Sequence, residues 1–387
     1  MSAGDRVIPD RTMDSSSVPI SRLDELHAHI AELVDNPDTP IDARLLDEIE
    51  LQLTETNIPP LLPTVLVPLT QILRTTGSTT PQDPSPLLSL TTKLLSPLPF
   101  SRVLAIADAP SLLSALASPL AGANLLALTI LHKAARSPAD AAILSTLPDL
   151  VEALVTRWLD AQDVGVGERA GKVLGDLLET DCDVVADADD ARSPHDGGVN
   201  GTELVKRRRV PGHGRIWDMI FGSEQLFAII PSLCRPPPGP ERDDDAANSR
   251  TARQTSIAQG RLLRLLPRLA TINMPAITHT AFPDLIPLPQ SLARDTGHGL
   301  LQWAALGMVD RSDMLMHLNL IDFFETYVSV MRITDSAPTS STSVTRCLVK
   351  AATANDAQLK ESLIVLPDRT VEEEAEPLRI YIEQLLN

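Results

Sequence analysis

Aromatic side chains are scarce in this chain, eleven among 387 residues. Stacked rings therefore do not build most of its core. Leu, Ala, Val and Ile fill it instead, which a hydrophobic content of 43% allows and which suits close helix–helix packing. Cysteine is scarcer still. Cys182, Cys234 and Cys347 lie far apart and form no CxxC pair, so no disulfide framework is expected and a reducing compartment is. Long apolar runs are missing as well. A membrane span needs about 20 consecutive apolar residues, and the nearest candidate, residues 58–69, is broken by Pro59, Pro60, Pro63 and Pro68. Residues 1–19 carry charge and serines without an apolar stretch, so no secretory signal is expected. The expected setting is the cytoplasm, with the nucleus as a second one.

Positive charge is also in deficit, with a net charge of −18. Sequence-independent nucleic-acid binding relies on Lys and Arg at phosphates, and anionic membranes attract the same groups, so both are disfavoured. An acidic protein more readily meets a basic protein face. The local exception is Lys206-Arg207-Arg208-Arg209. It reads as a nuclear import signal, a phosphate contact, or a solvated loop pairing with the acidic stretch upstream.

What is present is helical periodicity. The segment around which the rest is organised is residues 109–181, helix after helix with no strand between. An apolar run from Leu125 to Leu131 follows Gly122, and a comparable pattern begins at Val166, about 44 residues later, within the spacing of HEAT and armadillo units. Such units bury their apolar faces only by stacking. The reading is all-α, a HEAT/armadillo-like solenoid with disordered loop insertions. Residues 1–19 form a disordered N-terminus, 20–181 an N-terminal array and 182–211 an acidic and then basic disordered insertion. Residues 212–387 form a C-terminal array with disordered loops near 235–255 and 335–345. Within these, the spacing predicts helices at 20–34, 43–53, 63–73 (kinked or split at Pro68), 257–269, 300–309, 312–318, 319–331, 347–357 and 377–386. Nine of the eleven aromatic residues follow Gly212, which makes the C-terminal array the bulkier one.

Candidate chemistry is thin. Gly165-Val166-Gly167 with Gly171 suggests a dinucleotide loop, but the preceding residues form a helix where that mechanism needs a strand, so the glycines read as a helix–helix turn. His27 and His29 point to different helix faces, His195, His213 and His298 fall in Gly-rich loops, and none has a Cys or carboxylate at metal-ligand spacing. No GxSxG elbow is present, and Asp243-Asp244-Asp245 lacks the alternation and Gly of a calcium loop. No enzyme, metal or cofactor is expected. Arg261, Arg264 and Arg268 share one helix face. They read as a solvent-facing stripe, with a partner-binding ridge as the rival.

Two segments carry a resemblance. One is Gly212-His213-Gly214-Arg215-Ile216-Trp217-Asp218-Met219-Ile220-Phe221-Gly222. The other runs from Gly307-Met308-Val309-Asp310-Arg311-Ser312-Asp313 to Asp322-Phe323-Phe324. With the N-terminal array, they resemble the filamentous-fungal members of the Hsm3 family, related to the mammalian proteasome subunit S5b. The resemblance implies a non-enzymatic solenoid that acts as an assembly chaperone of the proteasome regulatory particle. It would hold the C-terminal domain of an ATPase subunit on its concave face, beside the base scaffold subunit. In a three-helix armadillo unit the last helix lines the concavity, which makes Glu168, Lys172, Asp176 and Glu179 contact candidates, with Asn124 and His132 on the earlier helix. The rivals are a nuclear factor associated with DNA mismatch repair, a label the family also carries, and a generic scaffold solenoid.

Overall fold

A computed structural model of the chain describes residues 20–76, 82–183, 211–235, 251–334 and 340–387; among them every regular element is helical, and the protein is all-α. The expected disordered N-terminus, Lys206 to Arg209, His195 and Asp243 to Asp245 lie outside the described residues. No helix among the described residues is long and apolar enough to cross a membrane.

The chain divides into two compact units, residues 1–99 and 100–387. In the first, α1 (Leu23–Asp35) buries Leu26, Ile30 and Leu33, the stripe its sequence predicts. Asp42 caps α2 (Ala43–Glu50) by accepting the Leu45 N–H at 3.1 Å. A π-helical turn, Leu62–Leu66, then leads into α3 (Val67–Thr76). Pro68 is its second residue, where a ring without an N–H is tolerated, so the expected kink becomes a helix boundary. The last helix of this unit is α4 (Ser85–Leu95).

The second unit opens with α5 (Phe100–Leu104), α6 (Ala109–Ala117), α7 (Ala121–His132), α8 (Pro138–Leu144), α9 (Pro148–Asp160) and α10 (Val164–Asp181). It continues with α11 (Arg215–Gly222), α12 (Glu224–Cys234), α13 (Ala252–Thr278), α14 (Gln290–Thr296) and α15 (Leu300–Leu306). It closes with α16 (Met314–Thr334), α17 (Ser340–Thr353), α18 (Ala357–Val365) and α19 (Glu372–Leu386). Within it α10 lies on α7, α13 on α10, and α16 on α13. The sequence spacing between α7 and α10 is thus a spatial one: Thr180 Oγ1 donates to the Ala135 carbonyl at 2.8 Å, and the two helices run parallel.

Several expectations need correction. Asp163 caps α10 by accepting the Val166 N–H at 2.8 Å, so the helix starts ahead of the glycines. Gly165, Gly167 and Gly171 are therefore helical residues, not a helix–helix turn. The expected helices at 312–318 and 319–331 are one, α16, because nothing between Leu318 and Asn319 stops it. A capping box between Thr251 and Gln254 starts α13 inside the loop expected to reach residue 255. Helix α13 then runs past Pro267 to a break at Asn273. There the Asn273 Oδ1 accepts the Ala276 N–H at 3.2 Å and restarts the last turn. The loop expected to reach residue 345 ends by Ser340, where α17 begins. Thr345 is fully buried and its hydroxyl meets that of Tyr327 at 3.0 Å, a contact that holds this turn in the core.

The boundary drawn near residue 181 also shifts, because the second unit is continuous across it. The Asp181 carboxylate accepts the Ile216 N–H at 2.6 Å and the Trp217 N–H at 3.3 Å, and the Trp217 Nε1–H donates to the Leu178 carbonyl at 2.8 Å. Helices on both sides of residue 181 thus share one core. The segments that carry the family resemblance are part of it: Trp217 stacks on Phe221 with ring centroids 5.1 Å apart, and Phe323 meets Phe324 edge to face at 5.0 Å.

Candidate interaction site

The six candidate residues fall on α7 and α10, and the structure joins three of them, Glu168, Asp176 and Glu179, to a helix the sequence reading had not placed there. The solvent side of α10 carries Glu168, Lys172, Asp176 and Glu179, and α13 runs beside it in parallel. Arg264 of α13 is 70% exposed and pairs with Glu168, itself 47% exposed. Arg268 is more enclosed. It donates to Asp176 Oδ1 at 2.6 Å and also pairs with Glu179. Burial pushes the Asp176 carboxyl up, but the Arg268 and His132 contacts outweigh it and hold it below the usual carboxylate range.

His132 comes from α7. The Arg169 guanidinium, which can only donate, lies 3.3 Å from its Nδ1, so that nitrogen is the acceptor and the proton sits on Nε2. The Nε2–H then donates to Asp176 Oδ2 at 2.6 Å. Asp176 is thus held from both flanks, by α7 and by α13. The next residue, Lys133, is buried, and its ammonium is pushed down to about 8 by burial first and Arg136 second.

Asn124 is not on this face. It is 4% exposed, and its Nδ2 donates to the carbonyls of Ala115 (2.8 Å), Leu116 (3.2 Å) and Ser118 (3.0 Å). It closes the C-terminal end of α6, where carbonyls lack helical partners. Lys172 is exposed.

Arg261 overturns the solvent-facing reading of its stripe. It is 7% exposed and donates to the carbonyls of Leu159 (3.3 Å), Ala161 (2.8 Å) and Asp163 (3.3 Å), at the end of α9. The glycines of α10 make room for it. A Cβ at Gly167 would lie 2.1 Å from Arg261 Cζ, and one at Gly175 would lie 2.5 Å from an Arg268 guanidinium nitrogen. One glycine of the apparent phosphate loop, Gly167, and Gly175 two helical turns on are slots for arginines of the neighbouring helix, while Gly171 packs against Trp158. Small residues at that spacing on α10, facing Arg261 and Arg268 seven apart on α13, were the available signal.

Nothing in this seam arranges a nucleophile, a base and an acceptor of developing charge. Among the described residues no group of three or more His, Cys, Asp or Glu is placed to hold a metal. What it offers is a surface of alternating charge, in part already neutralised from within. No curated protein matches the chain. Residues 21–162, from α1 to α9, match the family model described as "DNA mismatch repair protein HSM3, N terminal domain". Over those residues the chain thus resembles the N-terminal domain of the Hsm3 family.

Proposed function

We propose that this protein is a non-enzymatic assembly chaperone of the proteasome regulatory particle, working in the cytoplasm and nucleus, which binds the C-terminal domain of one ATPase subunit beside the base scaffold subunit. The family match over residues 21–162 is the observation that carries the reading. The α7, α10 and α13 row supports it, since adjacent parallel helices give a stacked array the broad face such a partner needs. The contact residues shift from the earlier set. Asn124 is occupied inside the fold, and Asp176, Glu179 and His132 are held by Arg268 and Arg169. Lys172, Glu168 and Arg264 are the charges a partner reaches first. Exposed charges of this kind set specificity and association rate more than affinity.

The test is a pull-down with the separated C-terminal domains of the proteasomal ATPase subunits. One domain should be retained, and Lys172→Glu combined with Arg264→Glu should weaken its capture without changing the fold. If none of the domains is retained, the reading fails. The family's printed description favours a second reading, a DNA mismatch-repair factor. Titration with duplex DNA at physiological salt separates them: the chaperone reading expects no binding, and tight binding would replace it.

A further inference from the structure

The first turns of α16 carry an apolar surface that belongs to neither reading. Met314, Leu315 and Leu318 are 68%, 65% and 48% exposed, while Met316, Leu320 and Ile321 behind them are buried in the core. Leu315, Leu318 and Asp322 follow one another at i, i+3 and i+7, so they form one stripe along the helix. Large apolar side chains scattered singly over a surface need no explanation. Three within five residues, on adjoining turns, mark a contact surface.

Helix α13 flanks this stripe, and it does so with Gly260. A Cβ built there would meet only Asn319 Nδ2, at 4.0 Å. Gly167 and Gly175 are small because arginines press on them, whereas Gly260 has no such neighbour. Its backbone is not left-handed either. A glycine inside a helix is destabilising relative to alanine, and no packing within the described residues asks for one here. What the missing side chain does provide is room for another backbone to approach. Leu315 lies one turn before Asn319 on the same side of α16. Gly260 thus floors a shallow groove whose α16 wall is Leu315 and Leu318.

The charges around the groove share one sign. Asp310, Asp313 and Asp322 are exposed, and from Ser312 to Met331 the chain carries no Lys or Arg. Arg311 is turned away, donating to the Ala352 carbonyl at 3.1 Å and to Asp356 Oδ2 at 3.3 Å. On α13, Arg261 is buried against α9, Arg268 pairs with Asp176 and Arg264 pairs with Glu168. That leaves Arg253, two turns before Gly260. An acidic rim on an apolar stripe selects a basic rim on the partner. It also disfavours a second copy of this chain, whose identical carboxylates would face these across a two-fold contact.

We propose that this groove receives an amphipathic helix of a partner protein, one that carries apolar residues three or four apart between lysines or arginines. Its apolar face packs on Leu315 and Leu318 and passes closest over Gly260, and its cations meet Asp313 and Asp322. Glu168, Lys172 and Arg264 take no part, so the proposal stands or falls apart from the chaperone reading.

The probe is a short helical peptide of leucine and lysine with its leucines on one face, titrated into the full-length protein at physiological salt by calorimetry. Two controls accompany it. One has the same composition with the leucines spread around the helix, and the other has glutamate in place of lysine. A chain of net charge −18 attracts any lysine peptide somewhere, so the ratio of the two lysine peptides is what reads the groove. The one-faced peptide should bind about tenfold more tightly than the scattered one, as one or two well-packed apolar side chains supply. The glutamate peptide should not bind. Equal affinity of the two lysine peptides, or binding of the glutamate peptide, overturns the proposal.

Leu315→Ser combined with Leu318→Ser should bring the ratio to one, and Asp322→Lys should weaken both lysine peptides. Gly260→Leu keeps the test decisive if the serine pair disturbs α16. It raises helix propensity and has room at its Cβ, so the fold should hold. Its side chain fills the groove, and the tenfold preference should disappear. A preference that survives Gly260→Leu places the peptide elsewhere and overturns the proposal. Sedimentation covers the other occupant. A dimer of the unaltered protein that the serine pair turns into a monomer would give this face to a second copy and overturn its assignment to a partner.

Discussion

Arg261 is a residue whose sequence and structural meanings part company. By periodicity it shares a face with Arg264 and Arg268, and a charged face ordinarily looks outward. The geometry instead grades the three from exposed Arg264 to buried Arg261, each against a different part of α9 and α10. Gly167 makes the buried position available. Replacing a helical glycine with alanine normally stabilises a helix, by about 1 kcal/mol. At Gly167 the added methyl would lie 2.1 Å from a guanidinium that three carbonyls pin in place. Gly167→Ala should therefore lower stability by about 1–3 kcal/mol, since overpacking outweighs propensity. Gly165→Ala, whose Cβ would meet only the Asp163 carboxylate at 3.2 Å, should leave stability unchanged or raise it. Urea unfolding of the two variants measures the contrast. Equal effects at both positions would show that Arg261 yields freely and that the slot is not a constraint.

Among the helices, legibility followed local signals. The helices expected at 20–34 and from residue 43 are written within a few residues, and the structure shows both as α1 and α2. The continuity of α16 and the early starts of α13 and α17 were not legible in apolar spacing, because propensity alone does not show that Thr345 reaches the core. The interaction candidates were harder still. Periodicity says which residues share a face and is silent on which helix covers it, so the α10 carboxylates were found and their arginine partners were not. The same holds for Asp181, read as the last residue of an array. It is fully buried and caps α11 across the residues that separate the two helices in sequence. Burial pushes its carboxyl up, and the Ile216 and Trp217 N–H groups pull it part of the way back. A carboxyl with a raised folded pKa gives up stability as pH rises from its unfolded value through the folded one, so the charge is a burden and the acceptor is the useful part. Asp181→Asn should therefore melt at or above the unaltered protein at neutral pH. Asp181→Ala should lose about 1–2 kcal/mol with the cap. If both lose alike in thermal unfolding, the charge itself holds α11.

On the scale of the whole molecule, the family-model boundary and the physical boundary fall in different places. The model match ends at residue 162, between α9 and α10, whereas the compact units meet between Pro99 and Phe100. Cutting at 162 would separate Arg261 from the Leu159 and Ala161 carbonyls it satisfies, and would strip α9 from α10, α12 and α13. Residues Leu150, Val151, Leu154, Val155, Trp158 and Leu159, all buried on α9, would lose cover. At about 1.5–3 kcal/mol per large apolar side chain, exposing that face costs as much as the roughly 5–15 kcal/mol by which a domain is usually stable. Cutting at 99 keeps these contacts whole, with Phe100 and Val103 retained in the second unit's core. Two fragments decide between the boundaries. Residues 100–387 expressed alone should be helical by circular dichroism and unfold in one cooperative transition. Residues 21–162 should be poorly soluble or melt without cooperativity. A cooperative 21–162 fragment beside an unfolded 100–387 fragment would mean that the conserved-domain boundary, and not the contact boundary, marks the folding unit.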